Sequence, residues 1–240
     1  MNFLSLEEVD STNLYAKKHL AELDDCTVVT ASRQTAGRGR LNRSWLDLGE
    51  GNLFVSIVLK PSAAFNKNFV NLTQFLSVCI CKTLEDYELK PDIKWPNDVN
   101  ISGKKIAGIL SETVMQGANF KGIVLGFGIN ILAGKEDVKK VADKAVTSLS
   151  IETDGKFCDK NDFLTKLLNL FFKNYNKFIE EGFCFIKHDY LSRLNFLGKE
   201  ISVKLPGEIK CGIAESIDND GALHLKKDNE IFVLTIGDIL

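Results

Sequence analysis

The chain has 240 residues, 45% of them hydrophobic and 26% charged, with a formal net charge of -2. That length suits one large domain or a large domain with a small appendage, and the slight acidic excess argues against a protein that wraps nucleic acid or lies on an anionic membrane. The start, MNFLSLEEVD, lacks the basic residues and apolar run of a secretory signal, and no stretch nears the roughly 18 apolar residues of a membrane span, so the cytoplasm is the expected compartment. Cys26, Cys79, Cys81, Cys158, Cys184 and Cys211 have no CxxC spacing, and His19, His188 and His224 form no HExxH pattern. The sequence thus predicts buried thiols in a reducing compartment and no metal held by histidine or cysteine.

In chain order, Ser11-Thr12-Asn13 followed by Leu14, Ala16, Leu20 and Leu23 predicts a capped helix of about three turns. Residues 26–31 (CTVVTA) form a β-branched run expected to be a buried strand. Residues 33–51 then lose all periodicity and read as one long loop, which inside a compact domain points to function. A strand is predicted over 52–60 and a helix over 69–87. Three further strands follow at 93–95, 105–113 and 122–131, separated by turn signals that include Pro96-Asn97-Asp98 and suit antiparallel hairpins. Residues 163–179 carry an amphipathic helical pattern. From about Asn195 four short β runs broken by turn dipeptides predict a small all-β module, expected to be a five-stranded barrel. The class is α+β rather than doubly wound α/β, with a main domain over 1–193 and the β module over 194–240.

Arginine usage carries the clearest chemical signal. The chain has five arginines against 25 lysines, and Arg33, Arg38, Arg40 and Arg43 fall within eleven residues of that one loop. A guanidinium is a rigid donor fork matched to carboxylate and phosphate, so this clustering points to recognition of an oxyanion. Gly37 and Gly39 allow close backbone approach, and Trp45 offers a surface to stack on a purine. Three more clusters stand out: Lys94-Trp95-Pro96-Asn97-Asp98, the strand start Lys105-Ile106-Ala107-Gly108-Ile109-Leu110, and Gly126-Phe127-Gly128-Ile129-Asn130. The bland reading of Gly108 is a bulge glycine. No GxGxxG or GxxxxGK[ST] occurs, so Rossmann and P-loop nucleotide sites are excluded.

Ser11-Thr12-Asn13, Gln34, the GRGRLNRSW run of 37–45, the KWPND run of 94–98, the KIAGIL run of 105–110 and the GFGIN run of 126–130 resemble, in this order, the biotin protein ligases. The resemblance spans nearly the whole chain, including Gly212-Ile213-Ala214 and Asp220-Gly221-Ala222-Leu223. It implies a class II synthetase-like biotin/lipoate ligase fold, a mixed and antiparallel sheet flanked by helices, with a carboxyl-terminal SH3-like β-barrel. Asn42 stands where many members have Gly, and Asn tolerates a left-handed backbone there. Ser11 lies so near the start that the form without an amino-terminal DNA-binding domain is expected.

The implied activity is ATP-dependent conversion of biotin to biotinyl-5'-AMP and transfer to a lysine of a biotin carboxyl carrier protein or domain, with Mg²⁺ carried on ATP. The resemblance implies Lys105, Arg40 and Asp98 as catalytic. It implies Ser11, Thr12, Asn13, Gln34, Gly37, Arg38, Arg40, Lys105, Gly108 and Gly126 as biotin contacts. Arg38, Arg40, Arg43, Trp45, Asn97, Lys105 and Asn130 would hold ATP and the adenylate. No DNA or membrane partner is expected, and a homodimer is left open. A lipoate or octanoate ligase and a noncatalytic binding protein are the competing readings.

Overall fold

The computed structural model describes residues 2–61, 66–141, 144–156 and 159–240, without the Asn42 side chain; Cys158 lies outside these residues. In chain order the strands and helices are β1 (Asn2–Val9), α1 (Thr12–Lys18), β2 (Thr27–Gln34), β3 (Leu53–Leu59), α2 (Leu72–Glu85), β4 (Pro91–Lys94), β5 (Asp98–Ile101), β6 (Lys104–Gln116) and β7 (Asn119–Ile129). They continue as α3 (Lys135–Val138), α4 (Leu149–Glu152), α5 (Lys160–Glu181), α6 (Phe183–Leu191), β8 (Glu200–Leu205), β9 (Glu208–Ile217), β10 (Leu223–Lys227), β11 (Glu230–Leu234) and β12 (Asp238–Ile239). They form two compact units, one of Met1–Asn66 with Gly103–Leu168, the other of Lys67–Ser102 with Asn169–Leu240.

In the first unit the strands lie in the order β1-β2-β3-β7-β6, with β1 parallel to β2 and every other pair antiparallel, so the sheet is mixed. All seven residues of β3 are buried, which explains its unbroken apolar run apart from Ser56. Ala16 and Leu20, on α1 and just beyond it, pack on Val29, Val58 and Val124, with Leu4, Leu6 and Tyr15 closing the cluster. The helix is shorter than the predicted three turns. Ser11 has the extended backbone of an N-cap, but its side chain makes no capping bond.

Because strand side chains alternate between faces, Val124, Gly126 and Gly128 share one face of β7. Their partners across β6 are Glu112, Leu110 and Gly108. The face that carries α1 over Val124 therefore carries bare backbone at Gly126, Gly108 and Gly128. Gly108 pairs in register, so the bulge reading fails there; the register shift of β6 falls at Val114/Met115 instead.

In the second unit α2, buried along nearly its whole length, stacks Phe75 on Phe178 with ring centroids 4.5 Å apart. β4 and β5 form a hairpin around the predicted turn, and Trp95, 2% exposed, donates from Nε1 to the Gly221 carbonyl at 3.3 Å. Strands β8 to β12 form an antiparallel sheet in the order β11-β10-β9-β8-β12. Among the described residues no pairing joins β11 to β12, so this is a five-stranded sheet rather than a demonstrated closed barrel. No helix among these residues is long and apolar enough to cross a membrane.

Candidate active site

The arginine loop closes on itself. Arg38 and Ser44 form a β-bridge, Gly39 N donates to Arg43 O at 2.7 Å, and Trp45 N donates to Gly37 O at 2.9 Å. Gly37 is needed because a Cβ there would strike the Trp45 carbonyl and come within 2.9 Å of Gln34 Nε2. At the tip Leu41 takes a left-handed backbone, with φ 53. Asp47 ties the base of the loop, accepting from Gln34 N at 3.1 Å and Gly49 N at 2.7 Å.

This closure delivers Trp45 to the glycine floor. Side chains at Gly108 or Gly128 would collide with the indole, and at Gly108 also with Lys105 Cε and Nζ, each 2.9 Å away. The Lys105 ammonium stands 5.3 Å from the Trp45 ring centroid, within cation–π range. The backbone of Lys105 is held on both sides: its N–H donates to Ala145 O and its carbonyl accepts from Thr147 N, both at 2.9 Å. Asn130 supports this clamp by donating from Nδ2 to Thr147 O at 3.0 Å. The indole N–H of Trp45 is buried and has no hydrogen-bond partner, leaving a donor that a ligand acceptor would satisfy.

Beside these groups opens a cavity of about 550 Å³ lined by Arg43, Trp45, Lys105, Asn130, Lys140, Lys144 and the apolar Leu46, Leu48, Val141 and Val146. Four cations around one cavity suit a polyanion. Sequence reasoning missed Lys140 and Lys144, because two lysines in an aperiodic segment look like any solvated pair.

A polar network lies over Gly126. Gln34 Oε1 accepts from Thr12 N at 2.8 Å and from the Thr12 hydroxyl at 3.2 Å. The Ser56 hydroxyl stands 2.8 Å from Thr12 Oγ1 and 2.6 Å from Asn13 Oδ1. Asn13 Nδ2 donates to Leu110 O at 3.2 Å and Glu112 Oε2 at 3.0 Å. Asn13 fits only because Gly126 has no side chain. Lys17 Nζ donates to Glu112 Oε1 at 2.8 Å, and Arg38 Nη1 to the same oxygen at 3.4 Å. Burial pulls the Glu112 carboxyl towards a higher pKa, but bonds from Lys17 and Asn13 and the charges of Lys17 and Arg38 outweigh it, holding it below the usual glutamate value. Ser56 and Glu112 went unnoticed in the sequence, Ser56 being the one polar residue of β3 and Glu112 the middle of the polar run Ser111-Glu112-Thr113 in β6.

Ser11, Thr12, Asn13, Gln34, Gly37, Arg38, Arg40, Arg43, Trp45, Lys105, Gly108, Gly126 and Asn130 all belong to the first unit. Asn97 and Asp98 belong to the second unit, where Asn97 is buried and Asp98 opens β5 opposite Lys94.

Residues 5–130 match the biotin/lipoate A/B protein ligase family. The chain belongs to that family. Residues 196–240 match the biotin protein ligase C terminal domain. Among relatives of this ligase family, a biotin--[acetyl-CoA-carboxylase] ligase of Paracoccus denitrificans is 34% identical over 226 residues, covering 92% of each chain. The bifunctional ligase/repressor BirA of Bacillus subtilis is 31% identical over 214 residues, 89% of this chain; the chain spans 65% of that relative's length. The fold is similar to that of a biotin protein ligase from Aquifex aeolicus in complex with biotin and ATP, with TM-score 0.83, 32% identity and coverage of 100% of this chain and 97% of the other.

Proposed function

We propose that this chain is an ATP-dependent biotin protein ligase that forms biotinyl-5'-AMP and passes the biotinyl group to a lysine of a carboxylase's biotin carboxyl carrier protein or domain. The observation that carries the reading is the placement of Lys105 over Gly108 and against Trp45, at the wall of a cavity lined by four cations. A free carboxylate is a poor acyl donor because oxide would have to leave. In the first step a biotin carboxylate oxygen attacks the α-phosphorus of ATP and pyrophosphate departs. Two anions must meet, so the residues neutralise and align rather than react covalently. Lys105 takes the meeting point, with Arg38, Arg40 and Arg43 above it and Lys140 and Lys144 towards the leaving phosphates.

Trp45 and Asn130 place the nucleotide, and Asn97 joins them in the proposal. When bound, Mg²⁺ neutralises phosphate charge. In the second step the acceptor Nζ attacks the biotinyl carbonyl carbon, the bond to AMP breaks, and the nitrogen gives up a proton, for which Asp98 is our candidate base. Ser11, Thr12, Asn13 and Gln34, with the backbone at Gly37, Gly108 and Gly126, supply the biotin contacts. The proposal keeps the division at 193/194, a cytoplasmic setting and action without DNA binding or repression, in keeping with the net charge of -2.

The polar network favours biotin over lipoate. A ureido ring brings two N–H donors and a carbonyl acceptor, whereas a dithiolane would leave pocket groups unpaired at about 1–3 kcal/mol each. Pyrophosphate release with ATP and Mg²⁺ is therefore expected with biotin and scarcely with lipoate or octanoate at equal concentration. Preference for lipoate would overturn the substrate, and no release with any of the three would favour a noncatalytic binding protein.

A further inference from the structure

We propose that Glu112 is a positioning residue that latches the arginine loop to β6 through Arg38 and orients Asn13 through its other oxygen. The kinetic part of this inference rests on the ligase reading. Glu112 is an acidic side chain among the cations that this site gathers for anions, and left unpaired it would repel them. Its side chain is 16% exposed, its Oε1 accepts from Lys17 and Arg38, and its Oε2 accepts from Asn13.

The two oxygens join the arginine loop to the polar network over Gly126. Arg38 begins the bridge that closes residues 38–44, while Asn13 starts the polar network over Gly126. β6 pairs with β7 from Ala107 to Gln116, with Glu112 opposite Val124, so a bond to Glu112 ties the loop to the paired part of the sheet. Glu112→Gln keeps one acceptor oxygen and turns the other into an NH2 donor, so it cannot accept from Arg38 and from Asn13 through separate oxygens as the carboxylate does.

The test compares Glu112→Gln with wild type and with Lys17→Met, which removes a Glu112 partner but leaves the Arg38 and Asn13 bonds. Tryptic cleavage of the substrate-free protein after Arg40 and Arg43 is expected to rise about tenfold in Glu112→Gln and to stay within about twofold in Lys17→Met. The KM for biotin is expected to rise about tenfold while the KM for ATP moves less than about twofold. A general loss of folding would move both constants together. Unchanged cleavage overturns the latch whatever the substrate is, as does faster cleavage with an unchanged biotin KM, or equal effects of the two variants. Faster cleavage in a protein whose wild type ignores biotin supports the latch and removes the ligase reading. Should Glu112→Gln fail to fold, Arg38→Gln breaks the bond from the loop end and must give the same increase after Arg40 and Arg43.

Discussion

Trp45 rests on the backbone of Gly128 in space that any side chain at that position would occupy. The indole and the glycine come from segments more than eighty residues apart, so the loop's resting place is set by an absence on β7. Gly128→Ala is expected to cost about 1–3 kcal/mol through overpacking, since the Cβ meets a ring rather than a flexible chain end. Urea unfolding measures this. A loss below about 0.3 kcal/mol would mean that Trp45 moves aside freely.

Lys105→Met is expected to abolish adenylate formation while the thermal midpoint stays near that of wild type. The substitution keeps the length and packing of the stem but deletes the charge that stands against Trp45 at the cavity wall, where the proposal has two anions meet. Biotin-dependent pyrophosphate exchange beside a melting curve separates the two effects. Exchange near the wild-type rate would remove Lys105 from the proposed chemistry.

The cavity cations Lys140 and Lys144 make a separable contribution. Lys140 also pairs with Asp137 at 2.7 Å, so its neutralisation alone partly frees a carboxylate next to the cavity. The double substitution of both lysines by Gln is expected to raise the KM for ATP by roughly three- to tenfold, since each is an exposed cation with a modest share of the charge. The KM for biotin should hardly move. A rise in the biotin constant alone would place the phosphates elsewhere.

Glu112 also gives a pH signature. Its folded pKa is depressed, so its stabilising contribution is complete above the unfolded carboxyl value of about 4.3 and is lost as pH falls through the lower folded value. The difference in thermal midpoint between wild type and Glu112→Gln should therefore be constant from neutral pH to about 5 and shrink below about 4. A difference that grows on acidification contradicts the assigned direction.

Much of this was legible in the residues because it rests on local pattern. The β-branched runs of β2, β3, β6 and β7, the apolar faces of α2 and α5, and the arginine loop follow from side-chain period and glycine content. β1 escaped because it is an edge strand whose short alternation at Leu4 and Leu6 is blurred by apolar Phe3 before it and ended by Glu7-Glu8 after it. α6 escaped because a nine-residue helix with apolar residues in succession shows little periodicity, and β5 was absorbed into the turn before it. In the site, Lys105 and Trp45 were marked by their motifs. Ser56 and Glu112 act only through partners 43 to 99 residues away, and no one-dimensional spacing announces such a contact.

The two tryptophans have opposite surroundings, which makes the chain its own optical probe. Trp95 is 2% exposed with its N–H bonded to a carbonyl, so its emission is expected to be blue and indifferent to small molecules. Trp45 is partly exposed at the cavity wall, with an ammonium 5.3 Å from its ring. Any spectral change on adding a carboxylic acid or a nucleotide is then assignable to a single chromophore, without label or engineered reporter.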